Sequence, residues 1–355
     1  MAAMAAALSL TGCTIGALRG AGRDTDSRKK TGSSGDAEEF GRTDFVMDTV
    51  FQAKIYGKED LTGDLQAMLK ELEEKELSWR IAGSEIARVN RDSSEGGKQS
   101  RISRAFFDWT AKSLDLAAKS GGAFDPTIGM LTRLWNIEGE TPSVPPAAMI
   151  ADALDQGGFE KVHLDEKTLT LKMDDGCTLD FGATGKGIGC DQAAAFLDEH
   201  GDTAGAVISI GGSNLVYGSK PEGGPWKVAI QDPRGPEGEF MGYVTLRGTN
   251  YVSTSGDYEK YFEQDGKRYH HILDPHTGYP ARSGLVSVTV ICDSGLLSDG
   301  LSTACFVLGK EKALKLLDLY DAEGILVDEN RNIVMTEGIR DSYRSIDSSY
   351  QITEQ

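Results

Sequence analysis

Apolar positions change their period several times along the 355-residue chain, and each change marks an element. Folded-protein patterning begins at Phe45, and Phe45–Tyr56, rich in aromatic and branched residues, reads as β-structure. Leu61, Leu65, Met68, Leu69 and Leu72 then fall on one face at helical spacing. Ser103 is placed to cap a helix whose inner face uses Phe106, Phe107, Thr110, Leu114 and Ala117, and Gly121-Gly122 ends it. A further helix is predicted from about Pro145-Pro146 to Gly157-Gly158. Val162–Leu164 and Thr168–Met173 read as a hairpin, a strand is expected to end in Leu179-Asp180-Phe181, and a helix to run from about Ile188 to Glu199.

Short β-like runs follow at Val207–Ile210, Trp226–Ile230, Tyr243–Leu246, His271–Leu273 and Val286–Ile291. Helices are expected at about Ser298–Val307 and Lys310–Leu319, with a last hairpin near Gly324–Met335. Strands and helices interleave without regular βαβ alternation, so the prediction is α+β (mixed α/β). No internal repeat or linker follows residue 40, which leaves one compact domain over 41–347.

The first forty residues differ. Met1–Leu10 is small and apolar, too short to span a bilayer as a mature helix, and leads into Leu10-Thr11-Gly12-Cys13. This resembles the lipobox of bacterial lipoproteins, which implies a removed signal peptide (1–12), lipidation at Cys13, and a cell-membrane anchor facing the extracytoplasmic side. No Lys or Arg precedes Cys13, and the competing reading is a plain Ala-rich start. The polar stretch after Cys13 has no hydrophobic period and reads as a flexible tether, 13–40.

Charge and composition narrow the function. A 39% hydrophobic, 26% charged chain reads as soluble and globular, and a net charge of -18 argues against nucleic acid as a partner. It also means that a phosphate-rich ligand needs local cations or a metal. Of five cysteines, Cys13 accounts for the odd one. Cys177, Cys190, Cys292 and Cys305 show no zinc spacing; Cys292 and Cys305 lie in apolar runs and read as buried thiols, with disulfides the alternative.

Four stretches carry candidate chemistry. Gly121-Gly122-Ala123-Phe124-Asp125-Pro126 permits close backbone approach to a ligand beside a carboxylate, or is a simple helix end. Asp180–Gly187 is glycine-rich and enters a helix, offering backbone N–H groups and the Lys186 cation to an anion, although its spacing is not that of a Walker A loop. His270-His271-Ile272-Leu273-Asp274-Pro275-His276 gathers three of the five histidines around a carboxylate. A histidine titrating near neutrality can take a proton from a hydroxyl there, with Asp274 orienting it; metal binding by the histidines is the rival, and neighbouring residues point to opposite faces of a strand. Asp299 and Thr303, four apart on a predicted helix start, offer hard oxygen ligands suited to Mg²⁺, or a cap at Ser298 or Asp299.

Taken in order, these blocks resemble the ApbE family of FAD:protein FMN transferases. Met47-Asp48-Thr49, Leu77-Ser78 with Ser84-Glu85-Ile86 and Asn90, Gly122–Thr127, Asp180–Gly187, Gly211-Gly212 with Asn214, Trp226–Ile230, Ser253–Gly256, His271–Gly278 and Asp299–Ala304 all take part. The resemblance implies FAD contacts at Met47, Ala123, Phe124, Asp125, Asp180, Lys186 and Ile272. It implies a Mg²⁺ shell of Ala183 (through its carbonyl), Asp299, Ser302 and Thr303, and His271 as base with Asp274 supporting it. Where many relatives carry a flavin-contacting aromatic residue this chain has Arg80, and Trp79 beside it is the ring available to stack.

The reaction implied is attack by a protein Thr or Ser hydroxyl on the FMN-side phosphorus of FAD, with AMP leaving, on target flavoproteins such as redox-pump subunits or extracellular FMN-binding domains. Two alternatives keep the site: an FAD pyrophosphatase using water, and a lipoprotein that binds FAD without chemistry. Ser253-Thr254-Ser255-Gly256 lacks the Gly-x-Ser-x-Gly elbow of a serine hydrolase.

Overall fold

A computed structural model describes residues 37–354, so the proposed signal peptide, Cys13 and nearly all of the tether lie outside the described residues. The chain's main feature is a nine-stranded sheet whose spatial order follows the sequence. Its strands are β1 (Glu38–Val46), β2 (Thr49–Gly57), β3 (Thr203–Ile210), β4 (Ser213–Gly218), β5 (Asn250–Gly256), β6 (Leu285–Cys292), β7 (Glu323–Asp328), β8 (Asn332–Met335) and β9 (Gln351–Ile352). All neighbours are antiparallel except β8 and β9.

The insertion between β2 and β3 carries α1 (Thr62–Leu72), α2 (Glu85–Ser94), α3 (Arg104–Lys119), α4 (Gly129–Trp135), α5 (Ala147–Gln156) and α6 (Gly185–Glu199). Between β6 and β7 lie α7 (Gly295–Leu308) and α8 (Lys310–Leu319). α6 and α7 cover one face of the sheet. The other face packs Val216, Val252, Val286, Ile325 and Val327 against a small sheet built on Trp226–Gln231 and Phe240–Leu246. Strands and helices in separate layers around a common core make the fold α+β, as the patterning predicts.

Several local expectations change. β1 starts at Glu38, so residues 38–40 of the expected tether belong to the sheet, and Gln351–Ile352 adds a strand past residue 347. Phe45–Tyr56 is not continuous. It crosses a hairpin whose turn residues, Met47 and Asp48, both have positive φ (53° and 55°) without a glycine to signal it. No strand ends at Leu179–Phe181. The Asn90 side chain takes the place of a neighbouring strand there, donating to the Leu179 carbonyl at 2.9 Å and accepting from its N–H at 2.7 Å. His271–Leu273 lies past the end of its strand, which stops at His270. All four described cysteines are unpaired thiols, three buried and Cys292 half-buried.

Candidate active site

A cleft of about 270 Å³ opens where the Met47–Thr49 turn, the Ala123–Asp125 loop, the start of α6, the Gly211–Gly212 turn, the His271–Pro275 loop and α7 converge. Of the residues singled out in the sequence, Met47, Trp79, Ala123, Phe124, Asp125, Asp180, Ala183, Lys186, His271, Ile272, Asp299 and Thr303 line it.

The floor depends on a close approach of α6 and α7. A Cβ added to Gly187 would lie 2.0 Å from the Gly295 carbonyl oxygen, and one added to Gly295 would lie 2.1 Å from that of Gly187. Only glycine fits on both sides. α7 starts at Gly295, with Ser294 as its cap, and Asp191 of α6 accepts the Gly295 and Leu296 N–H groups at 2.6 and 2.9 Å. Asp299 is therefore an interior residue of α7 and not a cap. Its carboxylate, 3% exposed, accepts from the Gly187 N–H (3.0 Å) and the Ser213 hydroxyl (3.0 Å), with Lys186 Nζ 3.4 Å away.

That arrangement has a consequence for Ala183. In a regular helix the N–H of residue 187 would serve the carbonyl of residue 183. Here α6 begins only at Gly185, so Ala183, which lines the cleft, lies outside its ladder, and the Gly187 N–H goes to Asp299. Ala183, Asp299 and Thr303, whose hydroxyl also meets Ser255 Oγ at 3.2 Å, line the cleft together and offer hard oxygen donors of the type Mg²⁺ takes. Ser302 differs: it is fully buried, donates to the Asp299 carbonyl at 2.8 Å and meets Ser255 Oγ at 2.8 Å, so its hydroxyl does not face the cleft.

Lys186 and Glu259 complete the floor. Burial works against the Lys186 ammonium, but Asp299 and Glu259 outweigh it and raise its pKa. Glu259 is pushed up to about 7, by burial first and then by the Asp299 charge, against the opposing pull of Lys186 and Lys260. Glu259 was not evident from the sequence: no motif spacing ties it to Lys186, which the fold brings to it across 73 positions of chain.

His271 stands at the opening. The residue keeps an exposed edge, but its ring is packed beside cations, and its pKa is lowered to about 3, by desolvation first and then by Lys260, His270 and Lys186. Nδ1 lies 3.3 Å from the Lys260 carbonyl oxygen. Because a carbonyl only accepts, Nδ1 carries the proton, and the Nε2 lone pair is left for a substrate. The predicted support from Asp274 is therefore corrected. Asp274 accepts from the His276 N–H (2.9 Å), His276 Nδ1 (3.2 Å) and the Thr277 hydroxyl (3.3 Å), and so shapes the loop, while the backbone of Lys260 orients His271.

His270 points the other way, into the core, with Nε2 on the Ala281 carbonyl at 3.0 Å. No group of three or more His, Cys, Asp or Glu side chains is placed to hold a metal among the described residues, and the histidines diverge, His270 bonding the Ala281 carbonyl and His276 the Gly121 carbonyl. The Ser253 and Ser255 hydroxyls pair with Ser298 and Ser302 of α7, not with a histidine.

The remaining residues are held by their neighbours. Asp125 accepts from Thr127 N and Oγ1 (2.8 and 2.6 Å) and from Phe159 N (3.1 Å), so its carboxylate braces the loop that carries Ala123 and Phe124. Asp180 Oδ1 accepts from Gly182 N at 2.8 Å. Met47 packs its thioether along the small residues of α6, and its N–H donates to Glu73 at 2.7 Å. Trp79 is not a bare stacking surface: the guanidinium carbons of Arg80 and Arg133 lie 4.5 and 4.4 Å from its ring centre.

Known proteins resemble this chain in sequence and fold. A profile of the ApbE family matches residues 47–326. An FAD:protein FMN transferase of Treponema pallidum is 32% identical over 334 residues, covering 88% of this chain and 91% of the relative; one of Klebsiella pneumoniae is 32% identical over 311 residues, covering 87% and 95%. Among solved structures, the ApbE protein of Thermotoga maritima superposes with a TM-score of 0.79 at 30% identity, covering 86% of this chain and all of that one. The apo flavinyl transferase ApbE of Pseudomonas stutzeri gives 0.71 at 32% identity, covering 82% and 92%.

Proposed function

The chain belongs to the ApbE family, and from that premise we propose that it transfers the FMN portion of FAD to a Thr or Ser hydroxyl of target flavoproteins, releasing AMP. The observation that carries this is one cleft holding a neutral histidine with a free Nε2 opposite a buried carboxylate, an ammonium and a helix start. His271 Nε2 takes the proton of the acceptor hydroxyl as its oxygen bonds to the FMN-side phosphorus. The bond from that phosphorus to the bridging oxygen breaks, and AMP carries the electron pair away. Lys186 and the glycine-rich start of α6 face the charge that develops on the phosphates.

Asp299, Thr303 and the Ala183 carbonyl are the residues that would hold Mg²⁺, which supplies charge neutralisation to the pyrophosphate when bound. Met47, Phe124 and Ile272 give the cleft its apolar walls for the ring systems of FAD, with Ala123, Asp125 and Asp180 along its edge. Lipidation at Cys13 would hold this cleft at the extracytoplasmic face of the membrane, where its acceptors would be found.

Solvent access to His271 supports a second reading, in which water replaces the acceptor and FAD is hydrolysed to FMN and AMP. A carrier without chemistry needs neither the oriented imidazole nor the buried Asp299. The test is incubation of the protein with FAD, Mg²⁺ and a flavoprotein domain. Transfer gives an FMN mass adduct on Thr or Ser together with AMP, abolished by EDTA and in folded Asp299→Ala and His271→Ala variants. Full transfer by both variants would overturn the mechanism. AMP and free FMN without an adduct support hydrolysis.

A further inference from the structure

The imidazole proposed above as the base, on which this inference rests, is held by a backbone carbonyl, so whatever fixes that carbonyl acts on the base. The Lys260 carbonyl accepts the His271 backbone N–H at 3.0 Å and its Nδ1 at 3.3 Å. Lys260 ends a four-residue turn, 257–260, between β5 and the hairpin of Tyr261–Gln264 and Lys267–His270. A turn has no ladder of its own, so its carbonyls stay in place only where side chains or neighbours hold them. The same turn sets Tyr258 and Glu259 into the cleft wall.

The hold comes from a different sheet. Arg234 lies in the loop between Trp226–Gln231 and Phe240–Leu246, two strands of the small sheet. Its Nη1 and Nη2 donate to Asp257 Oδ1 and Oδ2 at 2.7 and 2.8 Å. The two side chains are only 30% and 16% exposed, and a bidentate fork fixes direction as well as distance, unlike an ordinary surface ion pair. Each partner is anchored in turn. The Asp257 N–H donates to the Val286 carbonyl of β6 at 3.2 Å, and the Arg234 N–H to Asp232 Oδ1 at 2.7 Å, which also accepts from the Tyr350 hydroxyl. Neither Arg234 nor Asp257 lines the cleft, whereas Gln231 and Glu237, at the two ends of the Arg234 loop, do.

We propose that Arg234 is a positioning residue for the base: through Asp257 it fixes the 257–260 turn, and with it the Lys260 carbonyl that keeps the proton on His271 Nδ1 and leaves Nε2 free for the acceptor hydroxyl. A neutral imidazole released from that carbonyl shares its proton between both nitrogens, and the fraction able to act as base falls. One ion pair thereby sets the cleft residues of two segments that come from separate sheets.

The experiment uses the full chain. Long-range ¹H–¹⁵N NMR of histidine-labelled protein reads the tautomer of each of the five histidines, with His271→Gln assigning the signal. FAD affinity is followed by fluorescence, adduct formation by mass, and folding by Tm. The wild type is expected to show the Nδ1–H form at His271, and Arg234→Ala a mixture of both forms. In Arg234→Ala kcat should fall about tenfold or more while FAD affinity stays within about twofold. Arg234→Lys should recover part of the loss, and Arg234→Ala with Asp257→Ala should be no slower than either alone, because the two act as one unit. Arg104→Ala, which removes an exposed pair whose partners Asp108 and Glu166 do not line the cleft, is the control and should change neither tautomer nor kcat. A folded Arg234→Ala protein that keeps the Nδ1–H form, whatever its rate, overturns the inference, as do additive losses in the double variant. An FAD affinity weaker by about tenfold also overturns it, by assigning Arg234 to FAD binding. A tautomer shift in Arg234→Ala beside a wild type that forms no adduct upholds the positioning and removes the transfer reading instead.

Discussion

Replacing Gly187 by alanine tests how the catalytic floor is assembled. The added methyl would sit 2.0 Å from the Gly295 carbonyl oxygen and 2.8 Å from Asp299 Cβ, against the 3.4 Å at which ordinary contact begins. Backbone cannot swing aside as a side chain can, so α6 and α7 would have to part by about 1.4 Å. Alanine gains up to ~1 kcal/mol of helix propensity over glycine, whereas overpacking costs about 1–3 kcal/mol and the weakened Gly187 N–H bond to a carboxylate about 1.5–3 kcal/mol. The net expectation is destabilisation by about 2–4 kcal/mol, with transfer falling further because Lys186 and Asp299 separate together. Urea unfolding at constant slope gives the first quantity and adduct formation at saturating FAD the second. Gly83→Ala, where a methyl meets nothing within 4 Å, is the control and should stay within ~0.5 kcal/mol. A Gly187→Ala protein as stable and as active as the wild type would refute the reasoning.

Two further outcomes follow from the histidine loop. Burial lowers the pKa of His270, so its neutral form stabilises the fold fully above its unfolded value of about 6.5, and this contribution is lost as pH falls through the folded value. The wild type should accordingly lose thermal stability below about pH 6.5 more steeply than His270→Gln; parallel Tm curves would contradict the assignment. Asp274→Ala loosens the 274–278 turn and should slow transfer by about two- to tenfold, leaving the acid limb of the pH–rate profile in place because Asp274 does not touch His271. A shift of that limb by a full pH unit would show that Asp274 acts on the base after all.

Much of the cleft could be read from residue types because those residues act through local pattern. The stripe of Leu65, Leu69 and Leu72 gave α1, Ser103 capped α3 as expected, and the motif order pointed to Lys186, His271 and Asp299. What escaped the sequence acts through backbone or distance. The carbonyl of Lys260 orients His271, and a carbonyl leaves no residue-type signature. Asn90 replaces a strand with its side chain, so the apolar run at Leu179 looked like sheet. Ser294 and Ser298 both suit a cap, and only packing against Asp191 selects the first, which moves Asp299 into the helix interior. Arg234 and Glu259 gain meaning solely from what the fold sets beside them.

Of the insertions between successive strands of the sheet, the longest bears on how the protein is made. β2 pairs with β3, yet residues 58–202 lie between them. At synthesis rates of about 5–20 residues per second, the N-terminal hairpin waits roughly 7–30 s for its partner, with one edge of β2 unpaired. Every later strand meets its neighbour over a shorter span of chain, so the Met47 turn is the part of the cleft whose seating depends on the longest-range closure. An open edge held that long invites pairing with other chains, and this hairpin is where a chaperone would be of most use.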